Sequence, residues 1–363
     1  MPLPFRVIDT GVREGRANIA FDAALIDLHA AGHIPDTIRF LQFQPTALVG
    51  RHQAISRELK LDVCRREGFG IARRMTGGGA IYFDPGMLGW EVVLSRKRLA
   101  LPSLADYTRR LCQAVAQGMS ENFGINARFR PRNDIEVDGR KISGTGGFFD
   151  GDTLFFQGTV LIDTDPERVL SALNVPRAKL ERHELDRPES RITTLRALIG
   201  HAPDVAEVKR AVADGLAGSL QLDLEVSGAW ELEESTAAQM FDEEIGSDAF
   251  VYEIDAPAGP HHEGCHASPG GTVTAFIRME GEGQAARIGE ALITGDFFVT
   301  PPRLIYDLET ALRGVGVGEV TAAVDAFFAS AKADMLSIAP DDIKQAVEIA
   351  LGGAKSTRPS RNC

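Results

Sequence analysis

Apolar residues recur at three- and four-residue spacing through NIAFDAALIDLHAAG, 18 to 32, and the run closes on glycine, which predicts an early helix. The period then shortens: TIRFLQF and TALVG, on either side of Gln44-Pro45, predict two short strands. GIARRM, AIYFD and GWEVVLS predict three more. In 103 to 123, Leu104, Tyr107, Leu111, Val115, Met119 and Phe123 fall on one helical face behind Ser103 as N-cap. NDIEVDGRKISG alternates around Asp138-Gly139, a pair suited to a type I′ hairpin, and TLFFQGTVLID predicts another strand. ESRITTLR and ALIG, near 200, read as helix or loop. Past about 225 the chain turns acidic and helical in WELEESTAAQMFDEE, and DAPAGPHHEGCHASPGG, 255 to 271, reads as a linker. GTVTAFIRMEG, ALITGDFFV and helical stretches at 318 to 337 and 340 to 351 make a second unit. The pattern therefore predicts an α/β domain over 1–250, a smaller α+β unit over 251–352 and a disordered polar tail over 353–363.

Composition narrows the class. The 363 residues are 44% hydrophobic and 25% charged, as in a globular protein, and the formal net charge of -12 argues against a nucleic-acid partner. No apolar run is long enough to span a membrane and the N-terminus has no apolar signal core, so a cytoplasmic protein without a membrane partner is expected. Cys64, Cys112, Cys265 and Cys363 form no CxxC pair, which favours reduced thiols over a disulfide framework or zinc ribbon.

Chemistry concentrates in two places. RRMTGGGAIYFD, 73 to 84, joins strand to strand through three glycines beside two arginines. Such a stretch is a tight turn, or a loop whose backbone N–H groups close around an anion. It is neither a Walker A nor a dinucleotide-binding loop, because both run into a helix. In RPRNDIEVDGRKISGTGG, Lys141 follows the hairpin turn and a second small-residue loop, Ser143 to Gly147, follows it. Lys141 reads as a surface residue or, paired with Arg74, as one wall of an anion cleft. Asn133 and Asp134 read equally as an Asx turn or as nucleotide and metal contacts, Asp134 being the magnesium candidate. His261, His262, Cys265 and His266 offer zinc-type ligands without a second half-site, so a solvated loop is the alternative. No hydrolase signature is present, and Trp90, Phe148, Phe149, Phe155 and Phe156 read as core.

These residues resemble a known family. RRMTGGGAIYFDPG is similar to the RRxSGGGAVxHDxGN signature of lipoate-protein ligase A enzymes, and RNDIEVDGRKISGTGG to that family's RNDI…GRKxSGSA signature. NIAFDAAL, ALVGRHQ, FFQGTVLID and ESRITTL echo its lesser motifs in the expected order, across 17 to 196, and the unit after the linker resembles its accessory domain. The resemblance implies a mixed sheet of the biotin/lipoate ligase type and an enzyme that uses Mg-ATP to convert lipoate or octanoate into an acyl adenylate. The acyl group then passes to a lysine of a lipoyl domain or H-protein-like carrier. It implies Lys141 as the catalytic residue, with Arg74, Gly77, Gly78, Gly79, Ala80, Ile81, Tyr82, Asn133 and Asp134 at ATP or the adenylate. It places Arg74, Gly78, Gly79, Lys141 and Gly144 at lipoate. A monomer is expected.

Departures sit near the acyl tail: Met75 and Phe83 replace a serine and a histidine, Gln157 replaces a histidine, and Gly146-Gly147 replaces an alanine and a larger residue. Related octanoyltransferases and amidotransferases share the fold but act through a cysteine thioester. No cysteine lies between Cys112 and Cys265, and Cys64 and Cys112 read as structural. The alternatives to a ligase are thus an acyltransferase without adenylation and a non-catalytic lipoate-binding partner; a biotin-protein ligase would carry GRGRxG in its loop.

Overall fold

The computed structural model describes residues 5–174 and 192–352. Strands β1 (Phe5–Arg13), β2 (Thr37–Phe43), β3 (Thr46–Val49), β4 (Gly70–Arg73), β5 (Ile81–Phe83), β6 (Met87–Ser95), β7 (Ala127–Arg130), β8 (Asp134–Val137), β9 (Arg140–Asp150), β10 (Thr153–Leu161) and β11 (Leu224–Ser227) precede residue 250. The longer helices there are α1 (Gly15–Ala30), α2 (Leu104–Phe123), α3 (Val205–Leu220) and α4 (Glu231–Met240). Eight strands form one mixed sheet in the order β11-β1-β2-β6-β10-β9-β8-β7, parallel where β1 meets β11 and β2 and antiparallel elsewhere. A small sheet, β4-β3-β5, carries the glycine stretch between its outer strands. The predicted mixed α/β architecture is present.

Local signals explain several elements. Ser103 Oγ accepts from Asp106 N at 3.2 Å to start α2, Gly124 ends it at φ 66°, and Leu104, Tyr107, Leu111, Val115 and Met119 are buried beneath it. Asp138 and Gly139 both take positive φ, 51° and 78°, as the type I′ turn between β8 and β9 requires. Trp90, Phe148, Phe149, Phe155 and Phe156 are core, and Cys64 and Cys112 are free and buried in helices.

Three expectations are corrected. Ser143 to Gly147 is no loop: it is the middle of β9, because β8 and β10 supply ladder partners on both sides that small residues alone do not advertise. The linker is shorter than 255 to 271, since His262–Ser268 form β12, paired with β13 (Gly271–Glu280). The helical stretch 318 to 337 is helical mainly over Val320–Ser330. β1, α3 and the helix Leu304–Leu312 are elements that the apolar spacing did not predict. The tail 353–363 and Cys363 lie outside the described residues.

The second unit adds β14 (Arg287–Gly295), β15 (Val299–Thr300), β16 (Asp334–Met335), α5 (Leu304–Leu312), α6 (Val320–Ser330) and α7 (Pro340–Ala350). It has its own hydrophobic cluster, including Val273, Ile277, Ile293, Phe297, Leu308 and Val347. It is docked on the first unit by backbone bonds from Gly78 N to Phe297 O, 3.0 Å, and from Gly295 N to His52 O, 3.0 Å. His52 lies between the Phe297 and Tyr306 rings, and burial followed by the Arg51 and Arg73 charges pushes its pKa down to about 3, so it crosses this seam neutral. No described helix is long and apolar enough to cross a membrane.

Candidate functional site

The two arginines of the glycine stretch do different work. Arg73, fully buried, donates to the carbonyls of Gly50, Arg51, Gln53, Val251 and Ile254, and so ties the segment after β3 to the start of the second unit. Arg74 turns into the loop: Nη2 donates to Gly77 O at 2.7 Å and Gly79 O at 2.8 Å, and Nε to Thr76 Oγ1 at 3.1 Å. Only its Nη1 is buried without a partner. Burial lowers the Arg74 pKa to about 10, which leaves it cationic at neutral pH. A guanidinium that gathers the carbonyls on one side of a loop fixes the loop's shape and leaves one donor, Nη1, for a further acceptor.

The second element is the β8–β9 hairpin. Lys141 Nζ lies 2.7 Å from Asp134 Oδ1, while Arg130 Nη2 donates to Asp134 Oδ2 at 2.6 Å. Burial pushes the Asp134 carboxyl up, but Lys141 and Arg130 outweigh it and hold the group below its ordinary value. Asn133 is pinned to β9: its Nδ2 donates to Thr145 O at 2.5 Å, and Thr145 N and Oγ1 each donate to Asn133 O at 2.8 Å. Neither residue therefore serves as an Asx turn.

Loop and hairpin face one another across a cavity of about 430 Å³. Arg74, Gly77, Gly79, Ala80, Ile81, Tyr82, Asn133, Asp134, Lys141 and Gly144 all line it, so the expected site residues converge. Gly78 stands behind this wall, its N–H spent on Phe297 O. Strand register explains the floor. Gly146, Gln157, Glu91 and Arg39 lie in one row across β9, β10, β6 and β2, and Thr159, Gly89 and Leu41 lie two positions along, in the next row on the same face. Phe43, Ile81, Phe83, Met87 and Leu161 add apolar surface, so the space is charged at the Lys141 side and apolar along much of its remainder.

Sequence reasoning missed four contributors. Gln157 Nε2 donates to Thr76 Oγ1 at 2.6 Å and links the glycine loop to the large sheet. Glu91 lines the cavity and shares Arg39 with Asp22, at 3.0 and 2.6 Å. Burial, then the Asp22 charge, raises the Glu91 carboxyl well above its ordinary value, because two acidic groups share one buried guanidinium. Phe298 and Asp296 enter from the second unit. Only Gln157 had a sequence signal, as a departure from the motif; the others depend on sheet register and unit docking.

Among the described residues no group of three His, Cys, Asp or Glu side chains could hold a metal. Asp134, the carboxylate beside Lys141, has a cation at each of its oxygens, so it does not fit a resident magnesium ion. The histidine cluster also disperses. His261 Nδ1 contacts Gly259 O at 2.7 Å, and His266 Nε2 lies 3.1 Å from Asp342 Oδ1.

Comparison with known proteins agrees with this geometry. The model of the lipoyl protein ligase A/B catalytic domain matches residues 14–217. The octanoyltransferase LipM of Symbiobacterium thermophilum is 28% identical over 271 residues, covering 68% of this chain and 98% of that protein. The lipoate-protein ligase LplJ of Bacillus subtilis is 29% identical over 187 residues, 51% of this chain and 54% of that protein. The crystal structure of P. falciparum LipL1 in complex with lipoate superposes with a TM-score of 0.72 at 15% identity, over 91% of this chain and 95% of that one, and so shares its fold. A cavity built from an arginine-framed glycine loop and a lysine hairpin, on a chain whose catalytic-domain match covers more than half its length, has one family reading: the chain belongs to the lipoyl protein ligase A/B family.

Proposed function

We propose that this protein is an ATP-dependent lipoate-protein ligase that activates lipoate or octanoate as the acyl adenylate and transfers it to a lysine of a lipoyl-domain or H-protein-like carrier. The observation that carries the reading is the cavity itself, which sets the Lys141–Asp134 pair opposite the Arg74-framed loop and has no thiol among its described lining residues. In the first step a carboxylate oxygen attacks the α-phosphorus and pyrophosphate leaves. Lys141 offers a positive charge to the carboxylate and the α-phosphate together, and Asp134 holds that charge in place. In the second step the carrier amine attacks the anhydride carbonyl and AMP leaves. The two units, 1–250 with two hydrophobic clusters and 251–352 with its own, are taken as two domains acting as a monomer in the cytoplasm.

A transferase without adenylation is the second reading, favoured by the LipM relatives. A thioester route needs a thiolate at the cavity. Cys112, the nearest described cysteine, lies behind the wall with Sγ 3.3 Å from Thr145 Oγ1, and burial pushes its thiol up to about 12. The stretch 175–191, outside the described residues, contains no cysteine in the sequence. The LipM match also spans nearly all of that protein yet only 68% of this chain. ATP-pyrophosphate exchange with lipoate, octanoate, biotin or no acid tests the reading: exchange that needs lipoate or octanoate is expected. Its absence, together with ATP-independent transfer from an octanoylated carrier, would establish the transferase instead.

A further inference from the structure

The glycine loop and β9 both present glycine to the Phe298 ring of the second unit. A Cβ on Gly146 would collide with Cε1 of Phe298, and a Cβ on Gly78 would stand 2.5 Å from Phe298 Cζ and 3.1 Å from Arg74 Nη2. The Phe298 ring therefore occupies space that side chains at these positions would otherwise take. It is 6% exposed and it lines the cavity. Its position is fixed by the turn Asp296 to Thr300: Phe297 O accepts from Gly78 N, Phe298 O accepts from Leu336 N at 3.2 Å, and Thr300 Oγ1 accepts from Phe149 N at 3.1 Å.

Along β9, Lys141 Nζ leans over Gly144, and Gly146 lies two residues further on the same face, about 7 Å away. An acid whose carboxylate is held at Lys141 meets the Phe298 ring at the depth its aliphatic chain reaches. Gly146 and its β10 partner Gln157 are also two of the positions at which the motifs depart from the family pattern.

We propose that Phe298, supplied by the second unit, is a wall of the acid-binding cavity and sets the length of acyl chain accepted there. The inference rests on the acid-activating reading above. The acid site is then incomplete without the second unit, and chain-length preference is written in a residue outside the catalytic-domain motifs.

Isothermal titration of the full chain with octanoate, decanoate and dodecanoate tests this, on the native protein, Phe298→Ala and Phe298→Leu, with circular dichroism melts as the folding control. Each extra methylene that gains a buried place tightens binding about fourfold. Phe298→Ala is therefore expected to shift the dodecanoate-to-octanoate affinity ratio by roughly tenfold or more toward the longer acid, and Phe298→Leu by less. An unchanged ratio in folded variants, with octanoate still bound by the native chain, overturns the role of Phe298 and leaves the acid reading standing. Failure of the native chain to bind any of the three acids overturns the acid reading and this inference with it. Should Phe298→Ala not fold, Phe298→Leu decides by the same ratio.

Discussion

Lys141 reaches Asp134 diagonally: the β8–β9 register sets Asp134 opposite Gly144 and Lys141 opposite Glu136, yet Nζ closes to 2.7 Å from Asp134 Oδ1. The side chain does this by lying across Gly144, where a Cβ would stand 2.5 Å from Nζ. Gly144→Ala is therefore expected to push the ammonium off Asp134 while leaving the strand intact. A displacement on the order of an ångström costs roughly 100-fold in rate, to be read as lipoate-dependent pyrophosphate exchange. A variant with native exchange would remove Gly144 from the site.

Replacing the charge itself is a harsher test. Lys141→Ala is expected to reduce exchange by about 100- to 1000-fold with an unchanged melting curve, because one positioned donor to developing charge is lost. Lys141→Arg is expected to restore little, since a planar fork does not fit the place of a compact ammonium over Gly144. Substantial exchange by either variant counts against Lys141 as the charge holder.

Asp134 gives a pH-dependent prediction with a definite sign. Burial works against its ionisation, and Lys141 and Arg130 more than compensate, so its folded pKa lies below the ordinary 3.8. A carboxyl lowered on folding contributes stability above its unfolded value and loses it as pH falls through the folded one. Asp134→Asn should thus lower the urea midpoint at pH 7, and the gap from the native protein should narrow only as pH falls below the ordinary 3.8. A gap independent of pH would mean the residue acts by packing alone.

What could be read from the sequence was what is local. Ser103 and the Asp138-Gly139 turn each act on their nearest neighbours, and each does in the structure what its residue type dictates. The helix α3 carries an equally local mark, the capping box in which Asp204 N donates to Glu207 Oε2 at 3.2 Å, but glycines at 215 and 218 dilute its apolar stripe. The glycines of β9 read as a loop because their partners, 9 to 11 residues away, lie in the neighbouring strands β8 and β10. The site was legible as two motifs, since Arg74 and Lys141 sit beside glycines that make room for them. Its remaining walls were not. Glu91 arrives by sheet register, and Phe298 by the docking of a unit more than 200 residues along the chain from the loop it covers.

The second unit carries its own titrating group. Glu309 on α5 accepts from Ile293 N at 2.7 Å, which joins that helix to β14, and burial pushes its carboxyl up from 4.5 to about 7 against the opposing effects of that bond and of Arg313. Between these two values the folded chain keeps a proton that the unfolded chain has released, so this group's contribution to stability falls as pH rises, by up to ~1.4 kcal/mol per pH unit. Above about 7 the loss is complete, because both states are then ionised. Glu309→Gln keeps an oxygen for Ile293 N and has no proton to lose. The variant should therefore match the native protein near pH 4.5, exceed it in thermal stability at pH 8, and show a flatter stability curve between. Parallel curves for the two proteins over that range would show that Glu309 is ionised in the folded chain throughout, and that α5 is held to β14 by a charged acceptor instead of a neutral one.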